Sequence, residues 1–441
     1  MFETLVNAFK VKEIRKKIFI TLLLLLVYRL GCYIPVPGLD AEQFSVYFDP
    51  DSEQFNNFLS LMNAVTGGAL SQGTLFALGI SPYINASIII QLLCVGIPAL
   101  ERLSKEGEEG KRKIAQITRF LTLALAIIQS VGVIINFGND GAINTSFFWD
   151  QAWLAYIYMV ILYSAGAMLT MWLGERITEY GVGNGISLVI FVGIISTAGL
   201  LLVDKFITAF TAATFTFTPI LEIILFFVVA VILFGLIVLV DLAERRIPVQ
   251  YAKQVKGRKM YGGQSTVIPI RISGSGVMPL IFAFAIISLP DLIMGLFFAD
   301  STAYANYTAW FSGGQGPLGW LYILVLCLLI FGFSFFYAQI QFNPEDISKS
   351  IQQNGGFIPG IRPGRPTADY LKKISNRITL FGAIFLSLVA FIPSLAFSFV
   401  SSDLVNAFST TGILIVVSVA LEFDKQLQSQ LMMKNYKGFL K

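Results

Sequence analysis

The sequence predicts an all-α polytopic membrane protein with ten transmembrane helices. Two observations on composition favour this class: the mean hydropathy is +0.72, and 55% of the 441 residues are hydrophobic whereas only 13% are charged. The third observation is that basic residues fall in alternate connections between apolar windows. Together these features exclude a soluble domain.

Ten windows of about twenty apolar residues are long enough to cross a bilayer. They lie at residues 18–35, 74–97, 118–137, 151–173, 185–203, 217–240, 276–298, 317–340, 378–399 and 404–422. Ten spans form two sets of five, and because five is odd, the second set begins on the opposite side of the membrane. The two halves are therefore expected to be inverted, with a pathway between them that is narrowest near the bilayer centre.

The basic residues orient these spans. Of the 31 Lys and Arg residues, 29 lie before the first span, in the even-numbered connections or in the tail; Arg29 and Lys205 are the exceptions. The first odd-numbered connection is acidic, with Asp40, Glu42, Asp49, Asp51 and Glu53 and no basic residue. Because basic loops stay on the cytoplasmic side, both termini are predicted to be cytoplasmic.

The region around the second window is too long for one span. Residues 61–98 carry no charge, and as one helix these 38 residues would reach about 57 Å at ~1.5 Å per residue, nearly twice a bilayer core. Gly67, Gly68 and Gly73 are predicted to separate a short first piece from a spanning helix over about 74–97. A half-helix too short to cross must lie within protein or water, which indicates a channel or transporter.

Spans and connections divide the chain into segments. We predict a cytoplasmic amphipathic N-terminus at 1–17, an N-terminal half with spans 1–5 at 18–203 that includes the half-helix at about 62–72, span 6 with its preceding outer loop at 204–241, a cytoplasmic loop at 242–272, spans 7–8 at 273–341, a second cytoplasmic loop at 342–376, spans 9–10 at 377–424 and a cytoplasmic tail at 425–441.

The two cytoplasmic loops are longer and more basic than turns require. Residues 355–366 read GGFIPGIRPGRP, in which proline and glycine would hold Arg362 and Arg365 on a stiff, shaped platform. An orientation signal alone is one interpretation. Orientation needs only a few lysines, however, so docking of an acidic partner, either phosphate-rich RNA or an acidic protein face, is preferred.

Several chemistries are missing from the chain. It has no histidine, which excludes Ser–His and Cys–His catalysis and the His-containing zinc motifs, and it has no Gly-x-x-x-x-Gly-Lys-Ser/Thr phosphate loop. Cys32, Cys94 and Cys327 lie in or beside spans and are expected to be buried apolar side chains. We therefore expect no enzymatic activity, no cofactor and no metal.

Ionisable groups lie near the ends of the spans rather than at their centres. Arg29 lies in the outer third of the first span, where snorkelling or one carboxylate partner is the default expectation. In or near the middle of four spans lie isoleucines instead: Ile80, Ile84, Ile190, Ile281 and Ile415. Taken singly these are ordinary membrane core, but together they would form a dewetted constriction that resists ion flow.

Five stretches of the chain carry a family resemblance. They read LFALGISPYINASIIIQLL at 75–93, WLGERITEYGVGNGIS at 172–187, RRIPV at 245–249, GVMPLIFA at 276–283 and GIRPG at 360–364. The first two resemble the second helix and the fourth-to-fifth helix connection of the SecY family, the pore subunits of the bacterial protein translocase. The other three resemble its cytoplasmic loops and the start of its seventh helix.

The resemblance implies a central hourglass pore, closed by an aliphatic ring that maps onto Ile80, Ile84, Ile190, Ile281 and Ile415. Below the ring it implies a plug formed by Met62, Asn63, Ala64, Val65, Thr66, Gly67, Gly68, Ala69, Leu70, Ser71 and Gln72. It also implies a lateral gate bordered by the second, third, seventh and eighth helices, with Asn85 and Gln91 as candidate polar gate residues. Interhelical hydrogen bonding is the alternative role for both.

The family's partners are the small subunits SecE and SecG, the motor ATPase SecA, the ribosome, preproteins with signal sequences and membrane lipid. The resemblance places motor or ribosome docking on the basic residues of the two loops: Arg362, Arg365, Arg245, Arg246, Lys253, Lys256, Arg258 and Lys259. Arg362 matches the family's motor-contacting arginine. Arg365 departs from the family pattern, because its slot is more often acidic or polar.

These features predict a protein-conducting channel of the bacterial cytoplasmic membrane. It would translocate unfolded preproteins and release hydrophobic segments laterally into lipid. An ion-coupled small-solute transporter is the alternative that the same topology permits, although the missing mid-membrane carboxylates weigh against it. An intramembrane protease is disfavoured by the lack of histidine and of paired aspartates in facing spans.

Overall fold

The computed structural model describes residues 2–39, 62–63, 66–139, 143, 151–211, 228, 231–232, 234–251, 254–256, 259–261, 265–272, 278–298, 301–310, 319–397 and 410–438. The chain divides into two compact units. The first comprises Met1–Phe226, Ala285–Tyr322 and Val400–Lys441, and the second comprises Phe227–Phe284 and Ile323–Phe399.

Helices dominate the described residues. In chain order they are α1 (Phe2–Lys10), α2 (Lys12–Gly31), α3 (Ser81–Gly96), α4 (Pro98–Lys105), α5 (Glu108–Asn139), α6 (Ala152–Tyr180), α7 (Gly185–Thr211), α8 (Met278–Phe297), α9 (Thr302–Trp310), α10 (Gly319–Gln341), α11 (Pro344–Gln353), α12 (Arg365–Phe397) and α13 (Thr410–Gly438).

These helices occupy nine of the ten predicted windows. The sixth window, 217–240, lies largely outside the described residues, although residues 234–242 are helical. By length and apolar composition, three described stretches could each cross a membrane alone: Glu108–Ile135, Ala152–Tyr180 and Trp320–Gln353. The pair α3 and α4 gives a fourth if it is counted as one broken span, with a bend of 102°.

The second span begins later than the sequence predicts. We expected a helix over about 74–97, but α3 begins at Ser81, and residues 75–80 form turns. Gly79 has a φ of +52°, which interrupts a right-handed helix, and Pro82 lies in the first turn of α3, where its missing N–H leaves no bond unmade. Ile80 is consequently the N-cap residue and does not lie in mid-helix.

The core of the first unit is built on α5, α6 and the irregular segments that precede α3 and α6. Its buried side chains are Val36, Met62, Leu70, Ala77, Leu78, Ala126, Val133, Ile134, Ile143, Ala155, Met159, Tyr163 and Ala167. Gly166 of α6 allows the segment before α3 to pack closely against this helix, because a Cβ at Gly166 would collide with the backbone carbonyl of Leu75. The segment before α3 is therefore packed directly against α6.

The N-terminal helix α1 packs on the C-terminal helix α13. Ala8 is fully buried, and Leu5 packs in a small apolar cluster with Phe423 and Leu427. The sequence places Phe2, Leu5, Val6 and Phe9 on one apolar face of this segment. In the structure Leu5 contacts protein, whereas Val6 and Phe9 are exposed.

The second unit contains a small sheet that the all-α prediction missed. Strand β1 (Glu244–Tyr251) pairs antiparallel with β4 (Ser265–Arg271) and with β5 (Gly356–Phe357), in the order β4-β1-β5. A separate hairpin joins β2 (Gln254–Lys256) and β3 (Lys259–Tyr261). Because β1 and β4 belong to the first predicted cytoplasmic loop and β5 to the second, the two loops form one folded platform.

Apolar side chains hold this platform together. Its core consists of Ile247, Val249, Ile270, Ile351, Ile358 and Leu371, from β1, β4, α11, the loop after β5 and α12. Along β1 the buried Ile247 and Val249 alternate with exposed Arg246, Pro248 and Gln250. This period of two is typical of a strand with one buried face, so the sequence carried a signal for the sheet.

We expect Val249→Asp to unfold the platform. Val249 is fully buried, and a carboxylate without a partner at this place should cost several kcal/mol. The measurement is limited proteolysis of the purified protein in detergent, which should cut residues 244–271 faster. Val267→Asp is the matched control, because Val267 lies on the same sheet and is 48% exposed. Equal proteolysis of the two variants would contradict the described core.

Candidate functional site

The predicted plug segment is a compact series of turns. Met62, Asn63 and Thr66 are helical, residues 67–73 are turns, and Ala64 and Val65 lie outside the described residues. The φ values are +73° at Gly67, +86° at Gly68 and +57° at Gly73, which confirms these glycines as the points where helix is interrupted.

Hydrogen bonds within the segment satisfy much of its backbone. Gly68 N donates to Asn63 O at 2.9 Å, and Ser71 N donates to Asn63 Oδ1 at 2.9 Å. The Thr74 hydroxyl donates to Ala69 O at 2.9 Å. A chain that has left the helix thus recovers partners locally, as burial requires.

Helix α2 supplies further contacts to the segment. The Tyr28 hydroxyl donates to Thr66 O at 3.4 Å, and the thiol of Cys32 lies 3.9 Å from the same oxygen. Arg29 Nη1 donates to Gly67 O at 3.3 Å. The ring of Tyr28 stacks on Phe76 with 5.8 Å between centroids.

The described partners of Arg29 are neutral oxygen atoms, and snorkelling or a carboxylate partner stays a prediction. Its guanidinium donates to Gly67 O, to the hydroxyl of Tyr33 and to Ser196 Oγ of α7, and it lies 5.4 Å from the centroid of the Tyr33 ring. Among the residues that the structure describes, no acidic side chain contacts it. Because carbonyl and hydroxyl oxygens accept from a guanidinium, these three groups are suitable partners for the cation.

The plug segment is buried among helices of the first unit. Ala69 and Leu70 are fully buried, and Met62 is 7% exposed. Leu70 and Met62 belong to the core formed with α5 and α6, whereas Gly67 lies against the backbone of Gly193 in α7. The segment therefore contacts α2, α7 and the α5–α6 core.

The predicted ring residues divide between the two units. In the first unit Ile80, Ile190 and Ile415 are buried and Ile84 is half-buried; in the second, Ile281 is half-buried. A Cβ on Gly174 would lie 3.5 Å from Ile80 Cδ1, so Ile80 packs against α6. Their role as a ring stays a prediction.

The candidate gate residues lie in α3. Asn85 and Gln91 are both half-buried, and Gln91 Nε2 donates to Ser87 Oγ at 3.2 Å, one turn earlier in the same helix. The structure thus gives Gln91 an intrahelical bond. The gate role of the two residues stays a prediction.

The predicted docking residues that the structure describes lie on or beside the platform of the second unit. Arg245 and Arg246 are exposed on β1, and Arg246 pairs with Glu244 at 2.7 Å. In the β2–β3 hairpin the backbone register places Lys256 directly opposite Lys259. Lys253 and Arg258 lie outside the described residues.

Two side-chain hydroxyl groups hold the backbone of the loop that carries Arg362. The hydroxyl of Thr367 donates to Arg362 O at 2.8 Å, and the hydroxyl of Ser348 donates to Gly364 O at 2.7 Å. Both hydroxyl residues are buried, whereas the Arg362 side chain is exposed. This geometry presents a cation on a rigid loop, as the pattern of proline and glycine predicts.

Arg365 begins α12 and is also exposed. It lines a polar cavity of about 720 Å³ together with Asn343, Lys349, Gln352 and Lys372. The cavity lies between α11 and α12, next to the Arg362 loop. The lining also includes Glu345 and Asp369, so the surface beside the loop carries charges of both signs.

Sequence reasoning missed one ion pair of the first unit. Arg119 of α5 donates through Nε and Nη2 to the two carboxylate oxygens of Glu175 in α6, at 2.9 Å each. Arg176 follows and lies over the rings of Trp172 and Tyr180, at 5.5 and 5.6 Å from their centroids. A bidentate pair fixes orientation as well as distance, so it sets the register of α5 against α6.

Comparisons with known proteins show the family and the fold of this chain. The SecY family profile matches residues 74–423. The protein translocase subunit SecY of Streptomyces coelicolor is 42% identical over 449 residues, which cover 100% of both chains. Among solved structures, one described as a protein conducting channel matches with a TM-score of 0.68 and 21% sequence identity. Sec61 in the canine ribosome-channel complex from the endoplasmic reticulum matches with a TM-score of 0.64 and 20% sequence identity. Each match covers 94% of this chain and 92% of the other. The predicted fold class of ten transmembrane helices is confirmed by these matches.

We expect Gly166→Ala to displace the segment before α3. The new Cβ would meet the carbonyl of Leu75, a backbone atom that cannot rotate away, so the free energy of unfolding should fall by about 1–3 kcal/mol. Thermal unfolding of the purified protein measures this. Gly199→Ala is the control, because a Cβ there meets open space in α7 and should be neutral or slightly stabilising. Equal transition temperatures would contradict the close packing.

Proposed function

The chain belongs to the SecY family and forms a protein-conducting channel of the cytoplasmic membrane, and we propose that residues 62–72 are its plug and that an isoleucine ring lies above it. Unfolded preproteins would thread this channel, and apolar segments would leave it laterally into lipid. The chain supplies the path and no catalytic group. Both termini are proposed to lie in the cytoplasm, as the distribution of basic residues favours.

One observation carries this proposal: an uncharged segment interrupted by glycines is buried inside a helical unit. A broken segment facing lipid would leave backbone groups without partners. Here the described part, Met62, Asn63 and residues 66–73, contacts α2, α5, α6 and α7 instead. Such a segment can fill a channel while the channel rests.

The proposed ring in the first unit consists of Ile80, Ile84, Ile190 and Ile415; Ile281 stays a prediction. Aliphatic side chains bind neither ions nor water, so a narrow ring of them resists ion flow without a fixed charge. They also form no lasting hydrogen bonds with a passing polypeptide. This is the property that a channel for many different sequences needs.

The proposed lateral gate involves α3, which carries Asn85 and Gln91. A signal sequence is apolar, so it partitions from the channel into lipid when adjacent helices separate. Polar gate residues would lower the stability of the closed seam between apolar helices. The bond from Gln91 to Ser87 shows that this side chain also has a partner within its helix.

The platform of the second unit is the proposed docking surface for cytoplasmic partners. Exposed Arg245, Arg246, Arg362 and Arg365 favour acidic surfaces, either the phosphates of ribosomal RNA or acidic faces of a protein. We propose the ribosome and the SecA motor as these partners; a ribosome-bound Sec61 channel is among the structures with a similar fold. SecE and SecG are the proposed small membrane subunits.

The ring predicts an effect of Ile415→Asn on selectivity. An amide at this position attracts water and weakens the closed constriction, so preproteins with defective signal sequences should cross at least several-fold more often. Export of a reporter with a mutated signal sequence measures this. Ile415→Leu keeps an apolar side chain and is the control. Unchanged export in the Asn variant would remove Ile415 from the ring.

The docking surface predicts an effect of Arg362→Glu on motor-driven secretion. Reversal of this exposed charge should repel an acidic partner, so secretion should fall about tenfold or more while the amount of protein in the membrane stays constant. Lys373→Glu is the control, since it reverses an exposed charge on α12 of the same platform, about two turns beyond Arg365 and outside the cavity beside the loop. Normal secretion by the Arg362 variant, or equal loss in the control, would contradict this role.

A further inference from the structure

Arg29 is a cation in an apolar helix that makes no contact with an acid among the described residues. Its donors reach two different parts of the first unit: Gly67 O of the plug segment at 3.3 Å and the hydroxyl of Ser196 in α7. The Tyr33 hydroxyl, one turn further along α2, accepts from Nη2 at 3.4 Å. One side chain thus connects α2, the plug segment and α7.

The acceptor on the proposed plug is the backbone carbonyl of a glycine in the left-handed region. Gly67 is buried with a φ of +73°, so its carbonyl points away from any helical partner, and Arg29 is its donor within the described part of the chain. A buried carbonyl without a donor is costly, and a bond from a charged donor is stronger than one from a neutral donor. In the described position of the segment, this carbonyl therefore has a charged donor as its partner.

Ser196 and Tyr33 determine where the guanidinium can lie. Arg29 has rotatable bonds enough to point elsewhere, but its second nitrogen is held by these two hydroxyls. The Tyr33 ring lies 5.4 Å from the guanidinium carbon and adds a cation–π contact. The donor that faces Gly67 is consequently preorganised.

We propose that Arg29 is the latch of the plug: its guanidinium, held by Ser196 and Tyr33, keeps the channel closed by binding Gly67 O. The latch rests on the proposed assignment of residues 62–72 as the plug. Opening breaks the bond to Gly67 O, and water or the backbone of the entering chain then accepts from the free nitrogen. Arg29 is a positioning residue, because it acts on permeation through the plug.

Two neighbouring glycines offer a matched pair for a test. Both have positive φ, so alanine strains the backbone at either place. A Cβ on Gly67 would collide with Nη1 of Arg29 and lie 3.0 Å from the Cα of Gly193, whereas a Cβ on Gly68 meets nothing within 4 Å. The difference between Gly67→Ala and Gly68→Ala therefore separates the close contacts of Gly67, with Arg29 and with Gly193, from backbone strain.

The experiment measures anion leak through resting channels, with the purified translocase complex reconstituted in liposomes and no preprotein added. Arg29→Met and Gly67→Ala should each raise the leak about tenfold or more, the size expected for loss of one bond to a charged group. Gly68→Ala should leak less than a third as much as Gly67→Ala. Arg29→Lys keeps the charge but replaces the two guanidinium nitrogens that contact Gly67 O and Ser196 Oγ by one ammonium nitrogen, so its leak should lie between wild type and Arg29→Met.

Ser196→Ala is the second test, since it leaves Arg29 and Gly67 intact. It still tests the proposal if Arg29→Met does not fold. Its leak should rise a few-fold. A leak that stays at the wild-type level in Ser196→Ala or in a folded Arg29→Met variant overturns the latch, and so does equal leak from the two glycine variants. Transport of a normal preprotein by the wild-type complex is measured in parallel. If transport is normal and the leak never changes, the latch alone fails; if transport is absent, the proposed function fails.

Discussion

The account depends on one constraint: backbone that leaves the helix inside a membrane protein must find hydrogen-bond partners there. Residues 66–80 contain no continuous helix, yet Leu70, Ala77 and Leu78 are buried to within about 1% of full burial. Their backbone is satisfied by Asn63, by the turns themselves and by α2. The surrounding helices are arranged to make this possible, with Gly166 leaving room for the Leu75 carbonyl.

This constraint also bears on how a resting channel can open. The proposed plug segment is held by turn bonds, by contacts from α2 and α7 and by the burial of Met62 and Leu70 in the core with α5 and α6. Its departure would exchange these hydrogen bonds for bonds to water and would remove Met62 and Leu70 from that core. The platform of the second unit is held together differently, by a sheet and by its own apolar core.

The sequence predicted these features unevenly, for physical reasons. Hydropathy and the distribution of charge are averages over many residues, so the helical membrane class could be predicted. Gly67, Gly68 and Gly73 marked the break correctly, because positive φ is a property of the local chain. The start of α3 was missed by seven residues because Gly79 and Pro82 together decide it. The partners of Arg29 and the sheet that joins two distant loops depend on contacts over more than a hundred residues, as between Arg29 and Ser196.

The most direct measurement places a photo-crosslinker at Ile190 or at Ile161 and arrests a preprotein midway through export. Ile190 is buried in the first unit and belongs to the proposed ring, whereas Ile161 on α6 is 61% exposed and faces outward. The account predicts a covalent adduct with the arrested chain from Ile190 and none from Ile161. Adducts from Ile161 without any from Ile190 would show that the polypeptide does not pass through the interior of this protein.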